Sequence, residues 1–142
     1  MVSMFRGEFS FLSNFYEVEI KYGSLKFKSL ESCFQALKSK DYNVRKMFEN
    51  LSGSESKSLG RKIKLREDWN DIKDDVMEYL VRIKFRNDYL RRKLLATGEQ
   101  LLVEGNYWND VYWGVDLKSG IGENKLGKIL MKVRKDIRNG IE

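Results

Sequence analysis

The sequence predicts an α+β protein dominated by helices, with a single compact domain over residues 1–142 and one small antiparallel sheet near the N-terminus. Three observations carry that expectation. Apolar residues alternate with charged ones at a period of two between positions 16 and 28. Apolar stripes at helical spacing fill most of the remaining chain. The length, 142 residues, suits one domain better than two.

Residues 16–20 read Tyr, Glu, Val, Glu, Ile, and residues 25–28 resume the alternation after Tyr22-Gly23-Ser24, which predicts a hairpin. From Ser29 the period changes. Leu30, Phe34, Leu37 and Lys38 recur at helical spacing, with Ser29 as the N-cap candidate. Ile72, Val76, Leu80, Ile83, Leu90 and Leu94 mark one long helix or a pair of helices, stopped near Gly98. Residues 101–104 form a short apolar run expected to be a strand. Leu126, Ile129, Leu130, Val133 and Ile137 make a final helical stripe closed by Gly140. Residues 105–123 have no period and are rich in Gly, Asn, Asp and Trp, the composition of a loop held for a purpose.

Composition excludes several classes. The chain has no histidine, which removes a Ser-His-Asp triad, a histidine base and most zinc sites. No run of about 18 apolar residues is present to span a membrane, and the first eight residues lack a signal-peptide stretch. One cysteine, Cys33, forms no internal disulfide and fits a reducing cytoplasm. No metal or cofactor is expected. Twenty-seven basic against 21 acidic residues leave a formal charge of +6. The excess concentrates in Lys57, Arg61, Lys62, Lys64 and Arg66, and again between Lys125 and Arg138. Such fields attract phosphates, free or in a polymer, although a merely solvated surface has the same composition.

Three blocks are candidates for chemistry, and each has an ordinary structural account beside it. In Phe11-Leu12-Ser13-Asn14-Phe15-Tyr16, Asn14 either serves a ligand or caps a turn. In the block from Leu30 to Lys38, helical spacing puts Glu31, Gln35 and Lys38 on one face, next to the apolar stripe. A carboxylate, an amide and an amine at the core's edge suit acid/base or amine chemistry, because burial moves their pKa values toward neutrality. The same face is also an ordinary helix surface. Asp110 three residues before Trp113 pairs a carboxylate with a stacking ring, or else makes a tight turn. Gly122 to Lys128 satisfies G-x-x-x-x-G-K. Ile129 nevertheless stands where a Mg-binding hydroxyl belongs and no strand precedes the segment, so the P-loop reading fails.

Taken in order, Arg6-Gly7-Glu8 leading to Phe-Leu-Ser-Asn-Phe-Tyr, Glu31-x-x-Phe34-Gln35-Ala36-x-Lys38, Gly60-Arg61, Trp69, Lys84-Phe85 and Leu94 to Gly98 resemble one known family. The ending, Asp110-x-x-Trp113-Gly114 and Gly122-x-Asn124-x-Leu126-Gly127 through Arg134, completes the pattern. The family is NADAR, also called the YbiA-like N-glycosidases, and the resemblance covers nearly the whole chain. It implies a compact, mostly helical fold and hydrolysis of the bond between a nitrogenous base and a ribose phosphate or ADP-ribose unit. ADP-ribosylated guanine, including that in nucleic acid, and riboflavin-pathway ribosylamino-pyrimidine phosphates are the substrates it implies.

The family's glutamate, lysine and aspartate fall on Glu31, Lys38 and Asp110, which makes these the catalytic candidates. Asn14, Ser13, Phe15, Gln35, Arg61, Trp69, Trp113, Gly114 and Asn124 are the substrate-binding candidates. Two departures stand out. Many members have a proline before the glutamate and a histidine after it; here the histidine position is Ser32 and the chain has no proline. Either that histidine is not needed or the specificity differs. The alternative of another class is a non-catalytic ADP-ribose or nucleic-acid binding module, for which salt-dependent binding without release of a base would be the mark.

Overall fold

The computed structural model describes residues 1–141, which divide into two compact units, residues 14–84 and residues 1–13 with 85–141. The first begins with the hairpin β1 (Glu17–Tyr22) and β2 (Leu25–Ser29), antiparallel, with Tyr22 opposite Leu25 across a turn in which Gly23 takes φ +59°. That left-handed angle suits glycine because no Cβ meets the next carbonyl. A bulge interrupts the ladder between Glu17 and Ile20. Ile20, Leu25 and Phe27 are buried, as the period-two pattern requires.

Ser29 ends β2 and caps α1 (Leu30–Ala36) by accepting from the Ser32 amide at 3.1 Å. Every residue of α1 is buried, so polar and apolar residues alike sit in the interior of this unit. Two short helices that the sequence reading did not anticipate follow. Asp41 caps α2 (Tyr42–Lys46), and a Ser52/Glu55 capping box starts α3 (Gly53–Gly60). α2 buries none of its residues, and α3 buries only Gly53, Ser56 and Gly60. Neither has the apolar stripe that periodicity detects. α4 (Trp69–Lys84) packs on α1, with the Trp69 and Phe34 ring centroids 5.0 Å apart.

In the second unit a 3-10 turn (Gly7–Leu12) precedes α5 (Asp88–Ala96), which Asn87 caps by accepting from the Leu90 amide. The stretch 72–97 is therefore a pair of helices, and Gly98 at φ +65° ends the second. α6 (Lys125–Arg138) buries Leu126, Leu130 and Val133, with Arg134 donating to Thr97 Oγ1 and to the Gln100 carbonyl, both at 2.8 Å. The strand expected at 101–104 is reduced to one parallel bridge, Val2 with Leu102: Val2 bonds the backbone of residues 101 and 103, while the Glu104 carbonyl accepts from the Val115 amide instead. The loop 105–123 contains a pairing not foreseen, β3 (Gly105–Asn106) parallel to β4 (Val115–Asp116). No helix among the described residues is long and apolar enough to cross a membrane.

Asn124 is the hinge of the step from this loop into α6. It sits at φ +52°, accepts from the Glu104 amide at 3.0 Å and donates to the Leu102 carbonyl at 2.9 Å. Gly127 lies against the same Leu102 carbonyl and Asn124 amide, leaving no room for a Cβ. Replacing Asn124 with Ala removes both bonds and keeps a left-handed angle that alanine resists. A loss of about 3 kcal/mol in urea unfolding is expected, and Asn124→Gly should recover about 1 kcal/mol of it by relieving the angle.

Candidate active site

Unit 14–84 gathers most of the candidates around the two ends of α1. Glu31 occupies the first turn, where its amide donates to the Asn14 carbonyl at 3.0 Å. Its side chain is only 8 % exposed. Gln35 stands one turn later, 5 % exposed, and its Nε2 donates to Glu31 Oε2 at 2.7 Å. That bond fixes which way the carboxylate faces. The other amide atom, Gln35 Oε1, is buried without a hydrogen-bond partner among the described residues and lies against Gly60. A Cβ on residue 60 would overlap it. The glycine of the Gly60-Arg61 pair is thus explained by its contact with the glutamine of the earlier block.

Lys38 does not continue the helical face as the i+7 spacing predicts. α1 stops at Ala36 with Leu37 as its cap, and the Lys38 amide donates to the Gln35 carbonyl at 3.2 Å in a tighter turn. The Lys38 carbonyl accepts from the Arg66 amide at 2.8 Å, which anchors that turn. The side chain still meets Glu31 electrostatically. Burial pushes its ammonium below the usual lysine range; Glu31 pulls it back up, while Arg61, Lys57 and Lys73 push it further down. A half-buried amine with a lowered pKa beside a buried carboxylate is the combination that nucleophilic amine chemistry uses.

Lys57 and Lys73 were not among the sequence candidates. Lys57 was visible only as part of a basic run. Lys73 had a signal that went unused, since it follows Trp69 by one turn and Trp69 faces α1. Lys57 Nζ also lies 6.0 Å from the centroid of the Phe15 ring, which packs on Gly53 and is 41 % exposed. Asn14 is buried and donates from Nδ2 to Met77 Sδ at 3.5 Å. Trp69 is a core ring beneath α1 rather than an open stacking surface. Cys33, buried on the same helix, has its thiol pushed up to about 12 by burial, which leaves it inert as a nucleophile.

Ser13, Asp110, Trp113, Gly114 and Asn124 belong to the other unit. Ser13 closes the 3-10 turn, its amide donating to the Ser10 carbonyl. Asp110 Oδ1 accepts from the Tyr112 and Trp113 amides at 3.1 and 3.0 Å, so this carboxylate builds the turn that carries the indole. Its hub is Asn106, fully buried and missed in the sequence, which exchanges two 2.9 Å bonds with the Asp110 backbone. Gly114 leaves no space for a Cβ beside the Glu104 carbonyl. Tyr112 meets Trp113 edge-on at 4.8 Å and carries Lys125 Nζ over its ring at 4.6 Å. Among the described residues, no three His, Cys, Asp or Glu side chains cluster as a metal site requires.

The model of the NADAR domain matches residues 4–138. N-glycosidase YbiA of Escherichia coli is 36 % identical over 129 residues, 88 % of this chain and 79 % of that protein. An N-glycosidase of Nostoc punctiforme is 37 % identical over 134 residues, 89 % and 85 % of the two chains. A riboflavin biosynthesis protein of Vibrio vulnificus is 37 % identical over 132 residues; the match takes in 90 % of this chain but 35 % of that one, so the chain spans about a third of this relative. The NMR structure of E. coli YbiA superposes with a TM-score of 0.83 at 31 % identity, covering 99 % of this chain and 88 % of that one.

Gly60→Ala should force Gln35 aside and break its bond to Glu31 while leaving the helices intact. The expected result is a shifted Gln35 side-chain amide resonance in ¹⁵N-edited NMR with unchanged far-UV circular dichroism. An unmoved resonance would show that the cradle tolerates a methyl group.

Proposed function

The chain belongs to the NADAR family and is a hydrolase of N-glycosyl bonds, and from that premise we propose that it releases a nitrogenous base from an ADP-ribose or ribose-phosphate unit, with guanine-type ADP-ribosyl adducts as its substrate. One observation carries the reading: the buried Glu31 carboxylate, oriented by Gln35, beside a Lys38 amine held below the usual lysine range. Breaking a ribosyl C–N bond builds positive charge on the anomeric carbon and ring oxygen. A fixed carboxylate stabilises that charge better than mobile water does.

In this mechanism Lys38 Nζ, neutral in a larger fraction than an ordinary lysine, attacks the anomeric carbon. The base departs with the bonding electron pair and takes up a proton. The ring then opens to a Schiff base between Nζ and the sugar. Water adds to that carbon, the Nζ bond breaks, and a free ribose hydroxyl and the amine are restored. Glu31 stabilises the developing charge and takes the proton of the attacking water. Asn14 and Gln35 hold ribose hydroxyls, Phe15 offers a ring face, and Arg61 binds phosphate. In the other unit, taken by itself, Asp110 fixes the turn that carries the Trp113 indole. Asn124 has its amide committed to the backbone of residues 102 and 104. Its part is to hold that loop. The net charge of +6 favours an anionic substrate, ADP-ribosylated nucleic acid included. A single buried thiol suits a cytoplasmic setting.

The Vibrio relative's name favours a second reading, a riboflavin-pathway ribosylamino-pyrimidine phosphate as the substrate. Side-by-side turnover of that compound and of ADP-ribosylated guanine separates the two.

Borohydride added during turnover should trap the sugar on Lys38, read as a mass increase on the peptide containing it. An unmodified Lys38 in active wild-type protein would remove the covalent step. Glu31→Gln should lower kcat by about 10²–10³ while the melting curve stays cooperative, and a variant with full activity would end the role given to Glu31.

A further inference from the structure

The residue directly after Glu31 points away from it, into a closed set of hydroxyls. Ser32 is fully buried. Its Oγ donates to the Leu51 carbonyl at 3.0 Å and accepts from Ser29 Oγ at 3.1 Å and from Ser56 Oγ at 2.8 Å. Ser29 is the cap of α1, Leu51 lies just before the capping box of α3, and Ser56 is the buried middle of α3. One hydroxyl therefore joins the start of α1 to both the entrance and the centre of α3. On α3, Lys57 follows Ser56, and Gly60, which receives the Gln35 side chain, lies one turn on. Three small hydroxyls allow the close approach that larger side chains would block, and their bonds give it one register.

We propose that Ser32 is a positioning residue: through Ser29 and Ser56 it sets how closely α3, with Lys57, Gly60 and Arg61, stands to Glu31 and Lys38. The proposal rests on the reading of Glu31 and Lys38 as the reaction centre. The charges facing Lys38 are Glu31 from α1, Lys57 and Arg61 from α3 and its cap, and Lys73 from α4. If α3 recedes, two of the three neighbouring cations recede with it and burial of Lys38 falls. Both changes raise its pKa.

The test compares Ser32→Ala and Ser56→Ala with Ser58→Ala, an exposed serine on the same helix. Competitive labelling with acetic anhydride across pH, read by mass spectrometry on the Lys38 peptide, reports the midpoint of its amine. In Ser32→Ala and Ser56→Ala the midpoint should move to higher pH, and kcat for N-glycoside hydrolysis should fall several-fold, more than KM rises. Ser58→Ala should leave both unchanged. Should Ser32→Ala fail to fold, Ser56→Ala decides, since it keeps the bond from Ser32 to Leu51. Folded variants with an unmoved Lys38 midpoint and wild-type kcat overturn the proposal. Wild-type protein that hydrolyses no N-glycoside would instead overturn the functional reading, and the labelling midpoint would still decide the role of Ser32.

Discussion

The 2.7 Å bond from Gln35 Nε2 to Glu31 Oε2 lies inside a helix with no exposed residue, and much of the unit around it answers to that placement. A buried carboxylate is costly unless hydrogen bonds replace its water. The bond to Gln35 supplies one. The glutamine is in turn held by the absence of a side chain at Gly60, and the helix start by the Asn14 carbonyl and the Ser29 cap. Polar groups that would destabilise an ordinary core helix are here accommodated by close neighbours selected for size.

That arrangement accounts for the local charge pattern. Lys38 lies seven residues beyond Glu31, in a bend fixed by Arg66, with cations from α3 and its cap and from α4 near enough to help hold its ammonium down. Burial and like charges act in the same direction, and Glu31 opposes them without cancelling them. An amine tuned this way is available near neutral pH to a degree that an isolated surface lysine is not. The likeness to YbiA in sequence and fold then gives this chemistry its class, cleavage of an N-glycosyl bond.

Loop 105–123 obeys a different logic. With little apolar periodicity to order it, it is held by the short β3–β4 pairing together with side-chain amides: Asn106 binds the Asp110 backbone, and Asn124 binds the backbone of residues 102 and 104. Asp110 spends one carboxylate oxygen on two amides of its own turn. A loop built this way presents Trp113 from a fixed backbone, so the aspartate serves geometry first.

By itself the sequence determined whatever depends on neighbours a few positions apart. The hairpin, the Ser29 cap, the stripe of α6 and the pairing of Glu31 with Gln35 all follow from periods of 2 and 3.6. The family follows from motifs kept in order along the chain. Tertiary structure decided what depends on distant neighbours. It ended α1 before Lys38, formed α2 and α3 without apolar stripes, and reduced the 101–104 strand to one bridge. It also brought Lys57 and Lys73 to Lys38 and turned Ser32 toward Ser56. None of these has a local period to read, because each is set by the space and charge another segment brings, and only packing shows which residues share it.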